Sequence, residues 1–306
     1  MFCSLVVISL VAVLAALFAH FKIPMELHEQ NLAGKLFLVT GCTPNGIGYS
    51  AVSKLLEWNA TVICTMRPSK SHLLASLNLH TIPLELDSLQ SVREAANLVR
   101  TKFGLLDGLV LNAGRVAVNY TLTGDGFEST FQANHLAQFY FTQLLIDRLK
   151  PKTARVVFVS SGLHRLGVRS PEYESKPAVK LGADGKYDCW NAYAQSKFFN
   201  VLSAKAFAKR FSQVQFLSVS PGMVRTNIED VMETAPDAAM NKLMLSLIGR
   251  SVESGAVRTL QALTDPKFAN VTGFHLDDYV QLPPFPEANE ENADWLFKMS
   301  NALLLL

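Results

Sequence analysis

The sequence predicts an α/β fold with a doubly wound, mostly parallel sheet. Short apolar runs rich in β-branched residues alternate with longer segments of helical apolar spacing, and no internal repeat or low-complexity segment interrupts them. Several of the short runs are almost continuously hydrophobic, as expected for strands that are buried on both faces of a parallel sheet. A repeated strand–helix order of this kind implies right-handed crossovers.

The predicted elements locate the place where a ligand should bind. Strands are predicted at residues 35–40, 61–66, 81–86, 108–111, 155–160, 215–220 and 273–276, and helices at 47–58, 89–103, 127–149 and 193–211. In doubly wound sheets, ligands bind beyond the carboxyl ends of the strands. Functional residues are therefore expected just after positions 40, 66, 111, 160 and 220.

The amino-terminal segment departs most from average composition. Residues 2–21 are uncharged and apolar, and as a helix they are long enough to cross a hydrocarbon core of ~30 Å. We predict a membrane anchor at 1–22, a linker at 23–34 and a single domain at 35–306. A cleaved signal peptide is the alternative, but no Lys or Arg precedes the apolar run and positions 17–19 form a poor cleavage site. Lys22 favours a cytosolic carboxy-terminal domain.

Composition excludes other classes of function. The 28 basic and 26 acidic residues nearly cancel, and no basic run interleaved with aromatic residues suggests nucleic-acid binding. Cys3, Cys42, Cys64 and Cys189 are scattered without CxxC spacing, so we expect reduced thiols. The seven histidines show no ligand-like grouping, and no metal site is predicted.

A glycine-rich turn, VTGCTPNGIG at 39–48, connects the first predicted strand directly to a helix. Gly41, Gly46 and Gly48 can adopt positive φ, admit a pyrophosphate to the backbone and allow close packing of helix on strand. The amino terminus of the helix would direct its N–H groups at the phosphates. A purely structural turn is the alternative. In this position the turn indicates a dinucleotide site, and with it a Rossmann fold.

Arg67, which follows the second strand, bears on the choice of dinucleotide. An NAD enzyme would place a carboxylate there for the ribose hydroxyl, whereas the guanidinium of Arg67 suits a 2′-phosphate. The sequence thus favours NADP(H) over NAD(H), unless Arg67 is simply a solvated side chain. Asp87, after the third strand, could accept a hydrogen bond from the adenine amino group or cap the next helix.

A candidate reacting group follows the fifth strand. Tyr193 and Lys197 are four residues apart in a helical segment and therefore project from one face. A neighbouring ammonium stabilises a phenolate, which would lower the Tyr193 pKa and allow it to act as acid or base. Ser161, at the strand end, could donate a hydrogen bond to a substrate oxygen or merely cap a turn. Asn134 lies in a predicted helix, where it would either bend the helix and hold water or be tolerated.

These residues together resemble the short-chain dehydrogenase/reductase family, over about positions 35–276. The turn TGCTPNGIG is similar to the family's TGxxxGxG, and Leu111-Asn112-Ala113-Gly114 is similar to its NAG segment. Asn134, Ser161, Tyr193 and Lys197 match the catalytic tetrad, with Ser161 also at the substrate. The resemblance implies that the cofactor contacts are Gly41, Thr43, Asn45, Gly46, Ile47, Gly48, Arg67, Asp87, Asn112, Ala113, Gly114, Tyr193, Lys197, Pro221, Gly222 and Thr226.

Within the family, the segments FQANHLAQFYFTQLL, VVFVSSGLH and AYAQSKFFNVL look like those of the retinol dehydrogenase and WW-domain oxidoreductase branch. This resemblance implies a retinoid, steroid or other lipid alcohol and its carbonyl as substrates, and an endoplasmic reticulum or lipid-droplet membrane as the location. Membrane lipid is an expected partner, and a homodimer is the candidate assembly. The turn has four residues between its first two glycines where the family has three, and this longer turn is the only feature that supports the alternative of a non-catalytic scaffold or NADP-sensing pseudoenzyme.

Two segments outside the predicted sheet leave alternatives open. Residues 162–190 and the Met-rich 223–250 are expected to form the substrate site, and the latter is either a lid or a helix packed on the core. The apolar tail at 295–306 either lies on a membrane or completes the core.

Overall fold

A single parallel sheet organises the protein. The computed structural model describes residues 26–67, 77–169, 187–225, 246, 249–277, 281–283 and 285–305. Within them, seven strands form one sheet in the order β3-β2-β1-β4-β5-β6-β7, and each pair is parallel. The strands are β1 (Leu36–Thr40), β2 (Thr61–Met66), β3 (Leu79–Pro83), β4 (Gly108–Leu111), β5 (Arg155–Val159), β6 (Gln215–Val219) and β7 (Phe274–Leu276). The predicted doubly wound fold is confirmed.

Helices cover both faces of the sheet. In the described residues they are α1 (Ile47–Glu57), α2 (Leu89–Lys102), α3 (Ser129–Phe131), α4 (Ala137–Leu145), α5 (Cys189–Arg210), α6 (Val252–Thr264) and α7 (Glu290–Leu304). The helix predicted at 127–149 is interrupted, because a π-helical turn, Gln132–Leu136, separates α3 from α4. Strand β3 begins two residues earlier than predicted, and α6 and α7 were not predicted.

The core consists of two layers and a third cluster. Helices α2, α4 and α5 bury their apolar residues against one face of the sheet, and α1 and α6 cover the other. The third cluster lies under α7, where Leu296 is fully buried and Phe198 and Phe199 of α5 pack against it. Most of α5 is buried because it is held between the sheet and α7.

The apolar tail completes the core. Leu303 is 7% exposed, and the Ser300 hydroxyl lies 2.8 Å from His135 Nε2 beneath it. The part of this segment up to residue 304 therefore packs on the core, whereas Leu305 is exposed. Across the described residues, no helix combines the length and apolar character needed to cross a bilayer. The anchor predicted at 1–22 lies outside them.

The expectation of four reduced thiols is wrong for two of them. Cys42, in the turn after β1, forms a disulfide with Cys64 of β2, with the Cα atoms 6.0 Å apart. The pairing follows from the sheet register, in which Val39 is the partner of Cys64, so that the end of β1 lies beside β2. Spacing in the sequence does not reveal this proximity, because it arises only when the parallel strands align.

Candidate active site

A cavity of about 500 Å³ lies beyond the carboxyl ends of the strands, where the sheet order changes direction between β1 and β4. This is the expected ligand site of a doubly wound sheet. Most of the residues predicted from the sequence line it. They are Gly41, Thr43, Gly46, Ile47, Arg67, Asp87, Asn112, Ala113, Gly114, Tyr193, Lys197 and Pro221.

The glycine-rich turn adopts a conformation that differs in part from the prediction. Gly41 has φ +74°, and a Cβ there would lie 2.8 Å from Ala113 Cα, so only glycine fits. The second positive φ, +62°, belongs to Asn45, while Gly46 is extended at −113°. The prediction of positive φ is therefore wrong at Gly46 and also at Gly48, which lies in the helix α1. Asn45 accommodates the additional residue of the turn, since asparagine tolerates the left-handed region better than most residues.

Close packing holds the turn against β4. A Cβ on Gly48 would collide with Asn112 Nδ2, which explains the third glycine. Asn112 Nδ2 donates to the carbonyl oxygens of Thr40 and Gly41 at 2.8 and 3.0 Å. The Asn112 side chain thus braces the turn, a role that is distinct from the direct cofactor contact expected for it.

The first turn of α1 is suited to an anion. Gly46 is its N-cap and offers no side-chain acceptor to the N–H groups that follow. Gly46 and Ile47 both line the cavity, so these donors and the positive end of the helix dipole lie at its wall. With Gly41 leaving room beside Ala113, the residues present fit a dinucleotide: the α1 terminus would hold its phosphates.

Arg67 and Asp87 lie at the end of the cavity beyond β2 and β3. Arg67 is exposed at the end of β2. Asp87 forms an ion pair with Arg115 Nη1, and Ser88, not Asp87, caps α2 by accepting from Ser91 N at 3.2 Å. The capping alternative for Asp87 is therefore wrong. Sequence reasoning missed Arg115, although its position directly after the NAG segment placed it at this strand end.

Tyr193 and Ser161 meet as predicted. The Ser161 hydroxyl lies beside the Tyr193 phenol, and burial raises the pKa of Tyr193 to about 12 although this hydroxyl favours the phenolate. The expectation that Lys197 lowers this pKa below its ordinary value is not met in this structure, because desolvation of the phenolate dominates. Ser161 also serves as the N-cap of a short 3₁₀ turn, Gly162–Leu166, and accepts from Leu163 N at 3.3 Å. The interpretation of Ser161 as a cap is therefore confirmed, and the hydrogen bond to a substrate oxygen stays a prediction.

Lys197 is buried beside the phenol, 3% exposed, with Nζ 5.5 Å from the centre of the Tyr193 ring. Its ammonium donates to the Val159 carbonyl at 3.0 Å. Burial lowers the pKa of Lys197 to about 8. A Cβ on Gly114 would lie 3.3 Å from Nζ, so the absence of a side chain there keeps the ammonium open to the cavity.

Asn134 lies in the π-helical turn and is fully buried. Its Oδ1 accepts from Arg115 N at 2.7 Å, and its Nδ2 donates to Arg115 O at 2.8 Å and to Ser196 Oγ at 3.0 Å. Ser196 Oγ donates in turn to the Tyr193 carbonyl at 2.7 Å. Neither of the two sequence readings anticipated this role. The Asn134 side chain joins the chain after β4 to the helix that bears Tyr193 and Lys197.

The remaining predicted contacts follow β6. Pro221 lines the cavity, and Gly222 has φ +83°, a conformation that favours glycine. Thr226 and most of the 162–190 and 223–250 segments lie outside the described residues.

Comparison with known proteins agrees with this geometry. The short chain dehydrogenase family model matches residues 35–237. The human WW domain-containing oxidoreductase is 31% identical over 297 residues, covering 91% of this chain and 70% of that protein. Human retinol dehydrogenase 13 is 29% identical over 282 residues, covering 86% of this chain and 82% of that protein.

Solved structures share the fold. The crystal structure of an uncharacterized protein from Mycobacterium paratuberculosis superposes with a TM-score of 0.68 at 27% identity, covering 90% of this chain and 94% of that one. A blue fluorescent protein from a metagenomic library, solved with NADPH, superposes with a TM-score of 0.62 at 22% identity and covers 83% of this chain and all of that one. On this evidence the chain belongs to the short-chain dehydrogenase family, in the branch of the WW domain-containing oxidoreductases and retinol dehydrogenase 13.

Proposed function

We propose that this protein is an NADP(H)-dependent oxidoreductase that interconverts a hydrophobic alcohol and its carbonyl compound. The observation that carries the proposal is the meeting of Ser161, Tyr193 and Lys197 beside a cavity that also contains the glycine-rich turn. Family membership supports an oxidoreductase with a nicotinamide cofactor. The alternative of a non-catalytic scaffold is less well supported, because the reacting side chains contact one another and the longer turn retains its glycine fit at Gly41.

The side chains have complementary tasks in this chemistry. Bound nicotinamide would supply or accept the hydride. With its pKa raised, the Tyr193 phenol carries its proton at neutral pH, which is the state needed to protonate a carbonyl oxygen during reduction. Ser161 lies beside the phenol and would donate a hydrogen bond to the same substrate oxygen. Lys197 would hold the nicotinamide ribose and offset negative charge on the tyrosine oxygen as the proton leaves.

The choice of NADP(H) rests on the end of the cavity beyond β2. Arg67 lines the cavity there, and its guanidinium can bind a 2′-phosphate through paired donors. Two carboxylates, Glu85 and Asp87, also line this end of the cavity and would repel a 2′-phosphate. The ion pair of Asp87 with Arg115 reduces this repulsion.

A lipid substrate and a membrane location complete the proposal. The similarity to a protein named retinol dehydrogenase 13 supports a retinoid, steroid or other lipid alcohol. The apolar residues 2–21 support a membrane anchor, and Lys22 directly after them favours a domain on the cytosolic side. The resemblance to retinol dehydrogenases suggests the endoplasmic reticulum or a lipid droplet as the membrane. Alkaline extraction of membranes tests the anchor. The full chain should stay in the membrane pellet, and deletion of residues 2–21 should release the protein into the supernatant.

The enzymatic test is turnover of NADPH and of NADH with retinal, steroid ketones and long-chain aldehydes. Tyr193→Phe should reduce kcat by roughly 10²-fold or more, while Tyr140→Phe on α4 should retain activity. Arg67→Ala should raise KM for NADPH by about tenfold and leave NADH unchanged, with Arg93→Ala on α2 as the matched control. Tight NADPH binding without turnover of any substrate would contradict the enzyme, and a parent preference for NADH would contradict the cofactor.

A further inference from the structure

A second group of polar side chains lies behind Ser161, away from the cavity. It contains His164 in the turn after Ser161 and His275 on β7, with the ring centres 4.5 Å apart. His164 is 1% exposed and Asp277 6% exposed. The described residues that line the cavity include neither these histidines nor Asp277, so we do not expect the group to touch the cofactor.

His164 is fixed to the backbone of Ser161. Its Nδ1 lies 2.7 Å from the Ser161 carbonyl oxygen, which also accepts from His164 N at 3.0 Å. Because a carbonyl can only accept, the proton of the neutral ring resides on Nδ1. Burial, together with the neighbouring His275, lowers the pKa of His164 to about 4, so the ring is neutral at physiological pH.

His275 is fixed to the end of β6 by side-chain hydroxyls. Its Nδ1 lies 2.9 Å from Ser218 Oγ and its Nε2 3.1 Å from Ser220 Oγ. Ser220 directly precedes Pro221, which lines the cavity. One imidazole therefore contacts two alternate hydroxyls of the strand end that leads into the cofactor site.

A charged pair closes the group on the outer side. Asp277 Oδ1 lies 3.6 Å from His275 Nε2, and its Oδ2 lies 3.4 Å from Arg165 Nη2. Arg165 also donates to the Pro283 carbonyl at 3.0 Å. The turn after Ser161 is thereby joined to the end of β7 and to the segment that follows it.

This arrangement, resting on the proposed function, leads to one inference. We propose that the histidine pair, His164 and His275, positions Ser161. The pair holds the 3₁₀ turn after β5 against the end of β6, and so keeps the Ser161 hydroxyl on the Tyr193 phenol. The two strand ends that flank the reacting group are then set relative to each other by side chains that take no part in the chemistry.

A metal ion is the competing interpretation, since two imidazoles and a carboxylate have suitable donor atoms within 4.8 Å of one another. The contacts argue against it. Both ring nitrogens of His275 already face serine hydroxyls, and Asp277 has the Arg165 guanidinium as its cation. A divalent ion would have to displace these bonds and sit beside a positive charge.

The kinetic test compares two substitutions at one position. His164→Phe should lower kcat by about 10- to 100-fold, as expected for misplacement of a reacting group, and change the NADPH dissociation constant less than about twofold. His164→Asn, which can keep a donor near Nδ1, should recover most of kcat. Leu303→Ala in α7 is the stability control, and it should lose thermal stability without the selective loss of kcat.

The results that would overturn the proposal are distinct. They are a parent-like kcat in His164→Phe, an equal loss in His164→Asn, or one equivalent of zinc in the purified chain. A readout without turnover separates this proposal from the function: ¹⁵N-histidine spectra should show neutral His164 with its proton on Nδ1. A proton on Nε2 would refute the positioning role even if the enzyme is active. If the spectra show the expected tautomer but no substrate is turned over, the proposed function is contradicted. The hydrogen bond of His164 to Ser161 is then still confirmed.

Discussion

Replacing Lys197 with methionine should stabilise the cofactor-free protein while abolishing turnover. The lysine has an ordinary pKa of 10.5, and burial lowers it to about 8 in the folded state. The difference corresponds to about 3 kcal/mol of stability that folding forfeits when the amine is charged in both states. Methionine has a similar length and carries no charge.

Local contacts reduce this gain only in part. Loss of the bond from Nζ to the Val159 carbonyl removes about 1 kcal/mol. The carbonyl does not become unsatisfied, because Asn200 Nδ2 also donates to it at 3.1 Å. At pH 7 the variant should therefore unfold with a free energy about 2 kcal/mol above that of the parent.

The pH dependence gives the sign of the effect. Because the folded pKa is depressed, the penalty is fully present below about pH 8 and disappears as pH rises through 10.5. Urea unfolding at pH 7, 9 and 10 should show the parent approaching the variant, with near equality at about pH 10. Lys209→Met, at an exposed position on the same helix, should show no such gain. A Lys197→Met protein no more stable than the parent at pH 7, or a gap independent of pH, would refute the reasoning.

Two further predictions concern packing. Gly48→Ala should weaken NADPH binding at least tenfold and lower the free energy of unfolding by about 1–3 kcal/mol, because its Cβ would collide with Asn112. Fluorescence titration and thermal unfolding measure the two effects. Gly104→Ala is the control, because a Cβ there meets open space. Leu296→Ala should lower the free energy of unfolding by about 2–5 kcal/mol, because this side chain of α7 is fully buried. Leu305→Ala, at 88% exposure, should change it by less than about 0.5 kcal/mol. Equal melting temperatures of the two variants would contradict the role assigned to α7.

Local patterns were sufficient to predict much of the site. The turn around Gly41 and the four-residue spacing of Tyr193 and Lys197 both depend on short-range geometry, and both lie where the sequence places them. The strands of the buried sheet were found because their hydrophobic runs are nearly continuous. Position after a strand was the most useful signal, because parallel strands direct their carboxyl ends to one edge.

Features that depend on distant contacts were not predictable in the same way. The disulfide of Cys42 and Cys64 requires the register of two parallel strands. The histidine pair joins residues more than a hundred positions apart, and each histidine alone resembles an ordinary core residue. The Tyr193 pKa was predicted with the wrong sign because the sequence shows a neighbouring ammonium but not the burial that outweighs it.

Because Asn134 lies in the π-helical turn Gln132–Leu136, its position depends on the number of residues in that turn as well as on its own identity. A π turn contains about one residue more than an α turn, and each residue of a helix rotates its successor by about 100°. Removing one residue from this turn would swing Phe131 and the rest of α3 away from the core beneath α7, or carry Phe139 out of the core beneath the sheet. The residues flanking this turn pack into two different apolar clusters, and Asn134 within it is buried. We therefore expect substitutions of single side chains here to be tolerated better than an insertion or a deletion.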